Sequence, residues 1–409
     1  MSGKFPYSGE PASEFATGTP SLLRAINERS LLELIRRDGA MSRAEAARRS
    51  GLSKPTVSQA LSGLEDAGLV HQSGRARGPK GPGAVVYSLN PESGWVIGID
   101  VGSHWVRAAV ADITGTVRAR RDERTQRTTA ATVAQISALA HGLASERGID
   151  WARITHATVG LPGVLDPSAT HLTLSPNLPG GKQGLLEAIS AELGPKVSFE
   201  NDVNLAALGE RARGVAAGFD NFVFLWVGTG IGLGIVVGSR LYRGASGAAG
   251  EIAYLPVGPG DPHDPAYRRR GQLEESASAA AARRIARDHG LRAATPKSVF
   301  AAARRGEAAA LEVVELIAGR IALAIAAVVP VLDPALVVLG GGIAGNGGDL
   351  LCEPVERELH RISPFRPHLA VSALGDEVVL HGAVATALAA AQESLFTRMP
   401  IAMTGGEAG

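Results

Sequence analysis

The chain has 409 residues and a formal net charge of +1, with 45% hydrophobic and 20% charged residues. This length predicts two or three domains, and the composition is that of an ordinary soluble globular protein. The single cysteine, Cys352, excludes internal disulfide bonds and any site that needs several thiolates, so we expect a protein of the reducing cytoplasm.

Two segments are candidates for targeting or membrane insertion, and neither has the required pattern. Residues 1–20 mix Gly, Pro, Ser and Glu without an apolar core, so we interpret them as a flexible N-terminal segment and not as a signal peptide. The most apolar stretch, from Ile317 to Leu339, is interrupted by charged residues and prolines. It predicts a buried helix followed by a strand, and no membrane partner is expected.

Charge is distributed unevenly along the chain. Residues 21–90 hold eleven Lys/Arg against six Asp/Glu, a net charge of +5, and the part of the chain that follows is slightly acidic. A basic N-terminal region on an acidic body indicates that this region meets a polyanion.

The first predicted elements are two short helices. An apolar stripe of helical spacing covers residues 21–37. Ser42 and Glu45 have the spacing of a capping box, which predicts a second helix over residues 43–50. The inward-facing residues of the first stripe are Leu22, Ile26, Leu31, Leu34 and Ile35.

A third helix and a hairpin complete this region. Gly51 predicts a tight turn and Ser53 caps the third helix, whose inward residues are Val57, Leu61 and Leu64. Two strands, 69–72 and 84–89, follow and are joined by a hairpin rich in Gly, Pro, Arg and Lys. Three helices with a glycine turn and a basic hairpin describe a winged helix-turn-helix domain over residues 21–90.

Polar and basic side chains of the third helix and the hairpin are the candidate contacts to double-stranded operator DNA. The helix offers groups suited to phosphates and base edges, and Gln59 has the geometry to pair with adenine. The alternative is a solvated helix face beside a flexible basic hairpin. The candidates are Lys54, Thr56, Ser58, Gln59, Arg75, Arg77 and Lys80.

After residue 91 the pattern changes to buried strands. One strand covers residues 95–100 and ends in Asp100-Val101-Gly102, and a second covers 106–112. A third strand begins at Thr116. A hairpin around an early Asp-x-Gly is the arrangement by which actin-like kinases hold phosphates.

Two glycine clusters follow strands farther along the chain. The strand 222–227 leads into Gly-Thr-Gly-Ile-Gly-Leu-Gly at 228–234, and a further strand is predicted over 235–238. Glycines at this spacing let backbone N–H groups approach phosphates, although tight strand packing requires the same residues. The strand 335–339 ends in Gly340, Gly341 and Gly342. The candidate nucleotide-loop residues are Asp100, Gly102, Gly228, Thr229, Gly230, Gly232, Gly341 and Gly342.

Several motifs resemble the ROK family (repressors, open reading frames, kinases), and they follow one another along the chain in the order of that family. Residues 227–251 contain Gly-Thr-Gly-Ile-Gly, Arg-Leu-Tyr-Arg-Gly and Gly-Ala-Ala-Gly-Glu. The Gly-Leu-Pro-Gly at 160–163, the Ser-Pro-Asn-Leu-Pro-Gly at 175–180 and the Glu-Asn-Asp-Val-Asn at 200–204 also match. The resemblance covers roughly residues 21–390.

The resemblance implies an α/β fold, with the winged helix-turn-helix followed by two actin-like lobes and a sugar in the cleft between them. Lobe 1 is expected over 91–200, with a C-terminal helix at about 380–394 returning to it, lobe 2 over 201–379, and a flexible tail over 395–409. Asp202 falls on the position of the kinase general base and Asn201 on a neighbouring sugar contact. The implied ligand-binding residues are Gly163, Asn177, Asn201, Asp202, Glu251, Tyr254 and Glu274.

Two departures from the family pattern bear on its cofactors. The loop 256–271 contains no cysteine, Tyr254 stands at the family's histidine, and Gln272 stands at a family cysteine, so we expect no metal and no zinc. Arginines 268–270 in this loop are interpreted as a solvated charge run. In the first hairpin, the bulky His104 and Trp105 follow Asp-x-Gly where a phosphate is cradled, so ATP binding, other cofactors and catalysis are not expected.

Three functions are consistent with these patterns. The favoured one is a DNA-binding transcriptional regulator of sugar metabolism, acting as a repressor, whose operator binding responds to a sugar or sugar derivative in the cleft. The second is a regulator of the same family that has lost sugar binding and responds to another metabolite or a protein. The third is an ATP-dependent sugar kinase with a DNA-binding domain. A homodimer or homotetramer is expected, because one winged helix covers too few bases for specificity.

Overall fold

The computed structural model describes residues 20–75, 83–174, 183–194, 196–292 and 295–398. Within them the chain divides after Ser93 into two compact units, an N-terminal unit and a larger unit that covers Gly94–Gln392.

The N-terminal unit is a three-helix bundle with a small antiparallel sheet in the order β1-β3-β2. Its helices begin where the sequence predicts: the Ser42 hydroxyl accepts from the backbone N–H of Glu45, and the Ser53 hydroxyl accepts from that of Thr56, both at 3.3 Å. Gly51, at φ 72°, makes the turn between the second and third helices. The elements are α1 (Pro20–Asp38), β1 (Met41–Ser42), α2 (Arg43–Ser50), α3 (Lys54–Asp66), β2 (Val70–Arg75) and β3 (Val85–Leu89).

The core of this unit confirms most of the predicted inward faces and corrects one of them. Val57, Leu61 and Leu64 are fully buried, as are Leu31 and Ile35. The predicted stripe of α1 is wrong at its first half: Ile26 is 49% exposed and Leu22 is only partly buried.

The reason lies in the contact between the first half of α1 and helix α3. The ion pair between Arg24 and Glu28 lies over Gly63 of α3, where a Cβ would collide with the Glu28 carboxylate. Polar side chains therefore take the place that the stripe assigned to Leu22 and Ile26. Residues 76–82 of the hairpin, with Arg77 and Lys80, lie outside the described residues.

The first half of the larger unit, here called lobe 1, is built on the five-stranded sheet β10-β7-β4-β5-β6. Strand β4 pairs antiparallel with β5 and parallel with β7, and all of its residues are buried because both faces of the sheet are covered at this strand. The elements are β4 (Trp95–Val101), β5 (Trp105–Asp112), β6 (Val117–Arg124), α4 (Thr129–Glu146), β7 (Ile154–Leu161), β8 (Val164–Leu165), β9 (Leu172–Thr173), α5 (Leu185–Leu193) and β10 (Val197–Asn201).

The second half, lobe 2, is built on the sheet β13-β12-β11-β14-β15, in which β11 pairs with β12 antiparallel and with β14 parallel. The elements are α6 (Asp202–Arg213), β11 (Phe222–Val227), β12 (Ile231–Val237), β13 (Arg240–Leu241), α7 (Tyr267–Arg270), α8 (Gln272–Ala277), α9 (Ala279–Asp288), α10 (Pro296–Arg304), α11 (Ala308–Leu332), β14 (Leu336–Gly340), α12 (Gly341–Gly347), α13 (Asp349–Ile362), β15 (His368–Val371) and α14 (Val378–Arg398).

Helix α11 is the apolar stretch that the sequence singles out. Among the described helices it alone is long and apolar enough to cross a bilayer by length and composition. Val313, Ile317 and Ile321 of this helix are buried in the lobe 2 core, and strand β14 follows it. The predicted buried helix followed by a strand is confirmed.

Helices α6 and α14 touch each other backbone to backbone. A Cβ on Gly209 of α6 would collide with the Val378 carbonyl, and one on Gly382 of α14 would collide with the Leu205 carbonyl. Helix α14 also packs on lobe 1, where a Cβ on Gly98 of β4 would lie 2.7 Å from the Val384 backbone nitrogen. Glycine at these three positions permits the close approach.

Candidate functional site

The third helix of the N-terminal unit presents the side chains that the sequence proposes for DNA binding. Lys54 and Gln59 of α3 are exposed and Thr56 and Ser58 are partly exposed, whereas Val57 of the same helix is buried. These positions follow from the cap, because Ser53 fixes where the helix begins and therefore which residues face outward. Arg75 is exposed at the end of β2.

A cleft of about 460 Å³ opens between lobe 1 and lobe 2. Lobe 1 and the start of α6 contribute Gly163, Asn201 and Asp202 to its wall, and lobe 2 contributes Glu251, Tyr254 and Glu274. Six of the seven predicted ligand-binding residues are thus brought together from segments far apart in sequence. Asn177, the seventh, lies outside the described residues.

Asn201 and Asp202 stand where strand β10 passes into helix α6. The Asn201 side chain caps the helix: its Oδ1 accepts from the Asn204 N–H at 3.0 Å, and its Nδ2 donates to the Gly163 carbonyl at 2.9 Å. Asp202 is the first residue of the helix and not its cap, and its Oδ1 accepts from the Val203 N–H at 2.8 Å. The capping role is therefore filled by Asn201, and one Asp202 oxygen is left toward the cleft.

Burial, repulsion from Asp100 and a smaller repulsion from Glu251 together raise the pKa of Asp202 to about 7, against the lowering effect of the hydrogen bond from the Val203 N–H. On the opposite wall, burial followed by repulsion from Glu274 raises the pKa of Glu251 to about 7. Burial also raises the pKa of Glu274. Carboxyl groups that titrate near neutral pH can both donate and accept hydrogen bonds, which suits the hydroxyl groups of a sugar.

Tyr254 occupies the rim of this carboxyl cluster. The side chain is 38% exposed, and its hydroxyl lies 3.5 Å from the Arg269 carbonyl, a long hydrogen bond. Its hydroxyl is therefore within the wall and only weakly engaged, as a ligand contact requires.

The first hairpin contains an ion pair that the sequence analysis missed. Asp100 is 4% exposed, and its carboxylate accepts a hydrogen bond from Nη1 of Arg107 at 3.1 Å. The two residues face each other across the β4–β5 hairpin. Burial raises the pKa of Asp100 to about 6, against the opposing effect of Arg107. The register of the predicted strands was the available signal, since it pairs residues 100 and 107.

The hairpin turn itself carries the bulky residues noted in the sequence. The Gly102 N–H donates to the Trp105 carbonyl at 2.9 Å, and the Trp105 ring lies 4.2 Å from the guanidinium carbon of Arg124. His104 and Trp105 both line the cleft.

The glycine cluster at 228–234 divides into two parts with different roles. The turn is confined to residues 228–230, because β12 begins at Ile231 and not at Ile235 as predicted. A Cβ on Gly234 would lie 2.7 Å from the Ala207 Cβ, and one on Gly232 would lie 3.1 Å from Val203, both on α6. Strand–helix packing therefore requires glycine at 234, whereas Gly232 packs closely on α6 and also lines the cleft.

Internal hydrogen bonds already use part of the turn. The Gly228 N–H donates to the Gly230 carbonyl at 2.9 Å, and the Ile231 N–H donates to Oε2 of Glu274 at 3.1 Å. Gly341, at φ 85°, packs against the Val227 backbone, whereas a Cβ on Gly342 would meet nothing within 4 Å. Thr229 and Gly230 line the cleft, as does Gly342.

The loop 256–271 is held by hydrogen bonds from side chains. Nε2 of Gln272 donates to the carbonyls of Gly258 at 3.1 Å and Gly260 at 3.3 Å, and the Tyr267 hydroxyl donates to Pro259 at 2.9 Å. Within the part of the chain that the structure describes, no group of three or more His, Cys, Asp or Glu residues is placed to hold a metal ion. The three arginines interpreted as a solvated run are all exposed, and Arg269 and Arg270 also line the cleft.

Comparisons with known proteins agree with this geometry. A model described as the ROK family matches residues 96–390, and a model described as winged helix-turn-helix DNA-binding matches residues 24–71. The crystal structure of a ROK family transcriptional regulator, a homolog of the E. coli MLC protein, superposes with a TM-score of 0.75 at 21% identity, covering 92% of this chain and 98% of that one. This likeness confirms the predicted fold class.

The similar curated proteins include repressors and kinases. The xylose repressor of Bacillus subtilis (strain 168) is 26% identical over 238 residues, which span 58% of this chain but only 62% of that protein. The putative xylose repressor of Caldicellulosiruptor sp. (strain Rt8B.4) is 26% identical over 394 residues, spanning 90% of this chain and 96% of that protein. The glucokinase of Thermotoga maritima is 33% identical over 216 residues, 49% of this chain and 68% of that protein. Since the ROK model matches well over half of the sequence, this protein belongs to the ROK family.

Proposed function

We propose that the protein is a DNA-binding transcriptional repressor whose affinity for its operator is set by a sugar bound in the cleft. The observation that carries the proposal is the combination, in one chain, of a helix α3 with exposed polar side chains and a cleft lined by five carboxyl groups. One relative that aligns over nearly its full length, the protein of Caldicellulosiruptor sp. (strain Rt8B.4), is named as a putative xylose repressor.

Beside its carboxyl cluster the wall favours a neutral sugar, although Arg269 and Arg270 also line the cleft. Asp202 and Glu251 have pKa values of about 7, and anionic ligands are disfavoured beside such groups when they ionise. Because related proteins are named for xylose, D-xylose is the first ligand to test, followed by D-glucose and other aldoses. In this proposal Asn201 orients one group that binds a sugar hydroxyl, and the Tyr254 hydroxyl on the opposite wall provides a second such group.

Phosphoryl transfer is not part of the proposed function. Arg107 neutralises the carboxylate of Asp100, and two of the N–H groups in and beside the glycine turn are already bonded within the protein. His104 and Trp105 add bulk to the hairpin. In this proposal Asp202 holds a ligand hydroxyl and does not act as a base.

Two other functions are the alternatives to this proposal. An ATP-dependent sugar kinase is favoured by Asp202 in its cleft position and by the relatives named as glucokinases. A regulator that responds to a different metabolite or a protein is favoured by Tyr254 at the family's histidine position. Measuring ATP hydrolysis and thermal stability with the sugar panel separates all three, since a ligand bound only by the folded state raises stability.

The DNA partner requires an assembly. A winged helix reads a short half-site, so we propose a homodimer or homotetramer in the cytoplasm that binds inverted half-sites about one or more helical turns apart. Sedimentation of the free and DNA-bound protein tests this: a monomer bound one to one on the operator contradicts it.

The experiment that tests the function uses an operator selected from random DNA with the purified protein. Fluorescence anisotropy measures operator affinity with and without D-xylose, which we expect to weaken binding by ~5–150-fold. Asp202→Ala should bind the operator normally and no longer release it, because the sugar has lost its anchor.

The matched control is Glu353→Ala, which removes an exposed carboxylate of α13. This variant should release the operator like the wild type. Release of the Asp202→Ala protein at the wild-type sugar concentration would show that the cleft is not the effector site.

A further inference from the structure

We infer that Glu200 positions the ligand-binding turn of the cleft, and that Arg243 holds Glu200 in place through an ion pair that joins the two lobes. This inference deepens the proposed function, because it concerns the same cleft. Its structural part is testable without any ligand.

Glu200 is the residue before Asn201, and its carboxylate makes contacts with both of its oxygens. Oε1 accepts from the Asn201 backbone N–H and from Nδ2 of Asn204, both at 2.9 Å. Asn201 and Asn204 are also joined by the helix cap described above. Glu200 therefore fixes the backbone of the turn from which Asn201 and Asp202 face the cleft.

The second oxygen of Glu200 accepts from Arg243. Nε lies at 2.8 Å and Nη2 at 2.7 Å from Oε2. The Glu200 side chain is 7% exposed, so its charge is almost fully removed from water and needs this partner. Arg243 is 48% exposed, and its solvent-facing half leaves the pair accessible to substitution.

Arg243 belongs to a loop of lobe 2 that reaches lobe 1 at a second point. A Cβ on Gly247 would collide with the Leu165 carbonyl of β8 in lobe 1. The loop is anchored in lobe 2 by the Tyr242 N–H, which donates to the Ile235 carbonyl at 2.8 Å. It leads directly to Glu251, the carboxyl group on the opposite wall.

The ion pair thus connects two ligand-binding segments, one from each lobe. On one side Glu200 adjoins Asn201 and Asp202, and on the other side Arg243 begins the loop that ends at Glu251. Loss of Arg243 should therefore loosen both segments. If Arg243 served only to neutralise the charge of Glu200, its loss would affect the surroundings of Glu200 alone. The residues are 43 positions apart, so the sequence offered no signal for the pair.

The test is amide hydrogen exchange of the full chain without ligand, on Arg243→Gln, Glu200→Gln and the double variant. We expect exchange in residues 201–205 and in 243–250 to become roughly 3- to 10-fold faster in each single variant. In the double variant the two changes should not add. Arg243→Lys, which retains the charge, should restore part of the protection.

The matched control is Arg240→Gln in the same segment. Within the described part of the chain, Arg240 is exposed and has no ion-pair partner, so its variant should exchange like the wild type. If Arg243→Gln accelerates exchange in 243–250 and leaves 201–205 unchanged, Arg243 does not act through Glu200 and the inference is wrong. Additive effects in the double variant contradict it equally.

Calorimetric titration with D-xylose and D-glucose forms a second arm. Arg243→Gln should weaken whichever sugar the wild type binds, and Arg240→Gln should not. A wild-type protein that binds neither sugar contradicts the proposed effector, and the exchange measurement then decides the ion pair by itself.

Discussion

Replacing Asp202 with asparagine is expected to stabilise the larger unit above neutral pH while it removes a ligand contact. The pKa of Asp202 is raised from 3.8 to about 7, chiefly by burial. For an isolated group, a displacement of that size corresponds to about 4 kcal/mol of folding free energy. The cleft is open to water and the charge is shared with Asp100 and Glu251, which reduces the part belonging to Asp202 to about 1–2 kcal/mol.

The sign follows from proton binding. Between pH 4 and 7 the folded chain retains the Asp202 proton and the unfolded chain has lost it. The contribution of Asp202 to the free energy of unfolding is therefore fully present below pH 4 and is lost as the pH rises through 7. Asp202→Asn removes this loss, and its amide oxygen can still accept from Val203. The melting temperature should therefore rise at pH 8 by about 2–6 °C and change little at pH 5.

Thermal unfolding followed by circular dichroism at pH 5 and pH 8 measures the effect, with Glu353→Gln as the exposed-carboxylate control. An equal change in melting temperature at both pH values would refute the reasoning, because a charge that costs nothing in the folded protein cannot produce a pH-dependent difference.

Four further outcomes are expected. Gln59→Ala should relax discrimination at one base of the operator by about 1–3 kcal/mol in a binding assay over single-base variants, and an unchanged preference would exclude base reading by this residue. Gly234→Ala should destabilise the larger unit by about 1–3 kcal/mol in urea unfolding, because its Cβ would press on Ala207, whereas Gly342→Ala should be tolerated. Gln272→Met should cost about 1 kcal/mol by the same measurement, because the carbonyls of Gly258 and Gly260 lose their donor while the Oε1 of Gln272, which has no partner among the described residues, is removed with it. A chelator should leave the wild-type melting temperature unchanged, because no metal site is expected.

The N-terminal unit was predictable because its signals are local. The caps at Ser42 and Ser53 and the turn at Gly51 each depend on a few adjacent residues, and the structure has the three helices where these signals place them. The exposure of Ile26 was not predictable, because it depends on which surface of α3 lies opposite the first half of α1. Hydrophobic spacing defines a face but does not identify the partner of that face.

The cleft was predictable only where a motif carried the information. The positions of Asp202 and Glu251 followed from resemblance, because nothing in their spacing shows that they meet across two lobes. Glycine spacing could not separate a phosphate turn from a packing surface: Gly232 and Gly234 are explained only once α6 is seen to lie over β12. The pair of Glu200 and Arg243 depends on the same long-range placement.

The glycine contacts between α6 and α14 limit how these two helices can move against each other. At Gly209 and Gly382 each helix presses on a main-chain carbonyl of the other, with no flexible side chain between them to absorb a sliding motion. Close-packed surfaces of this kind resist translation, and large domain motions then proceed by rotation at a few positions. The crossing of the two helices is therefore a rigid contact, and α14 could slide along α6 only if the two backbones separated.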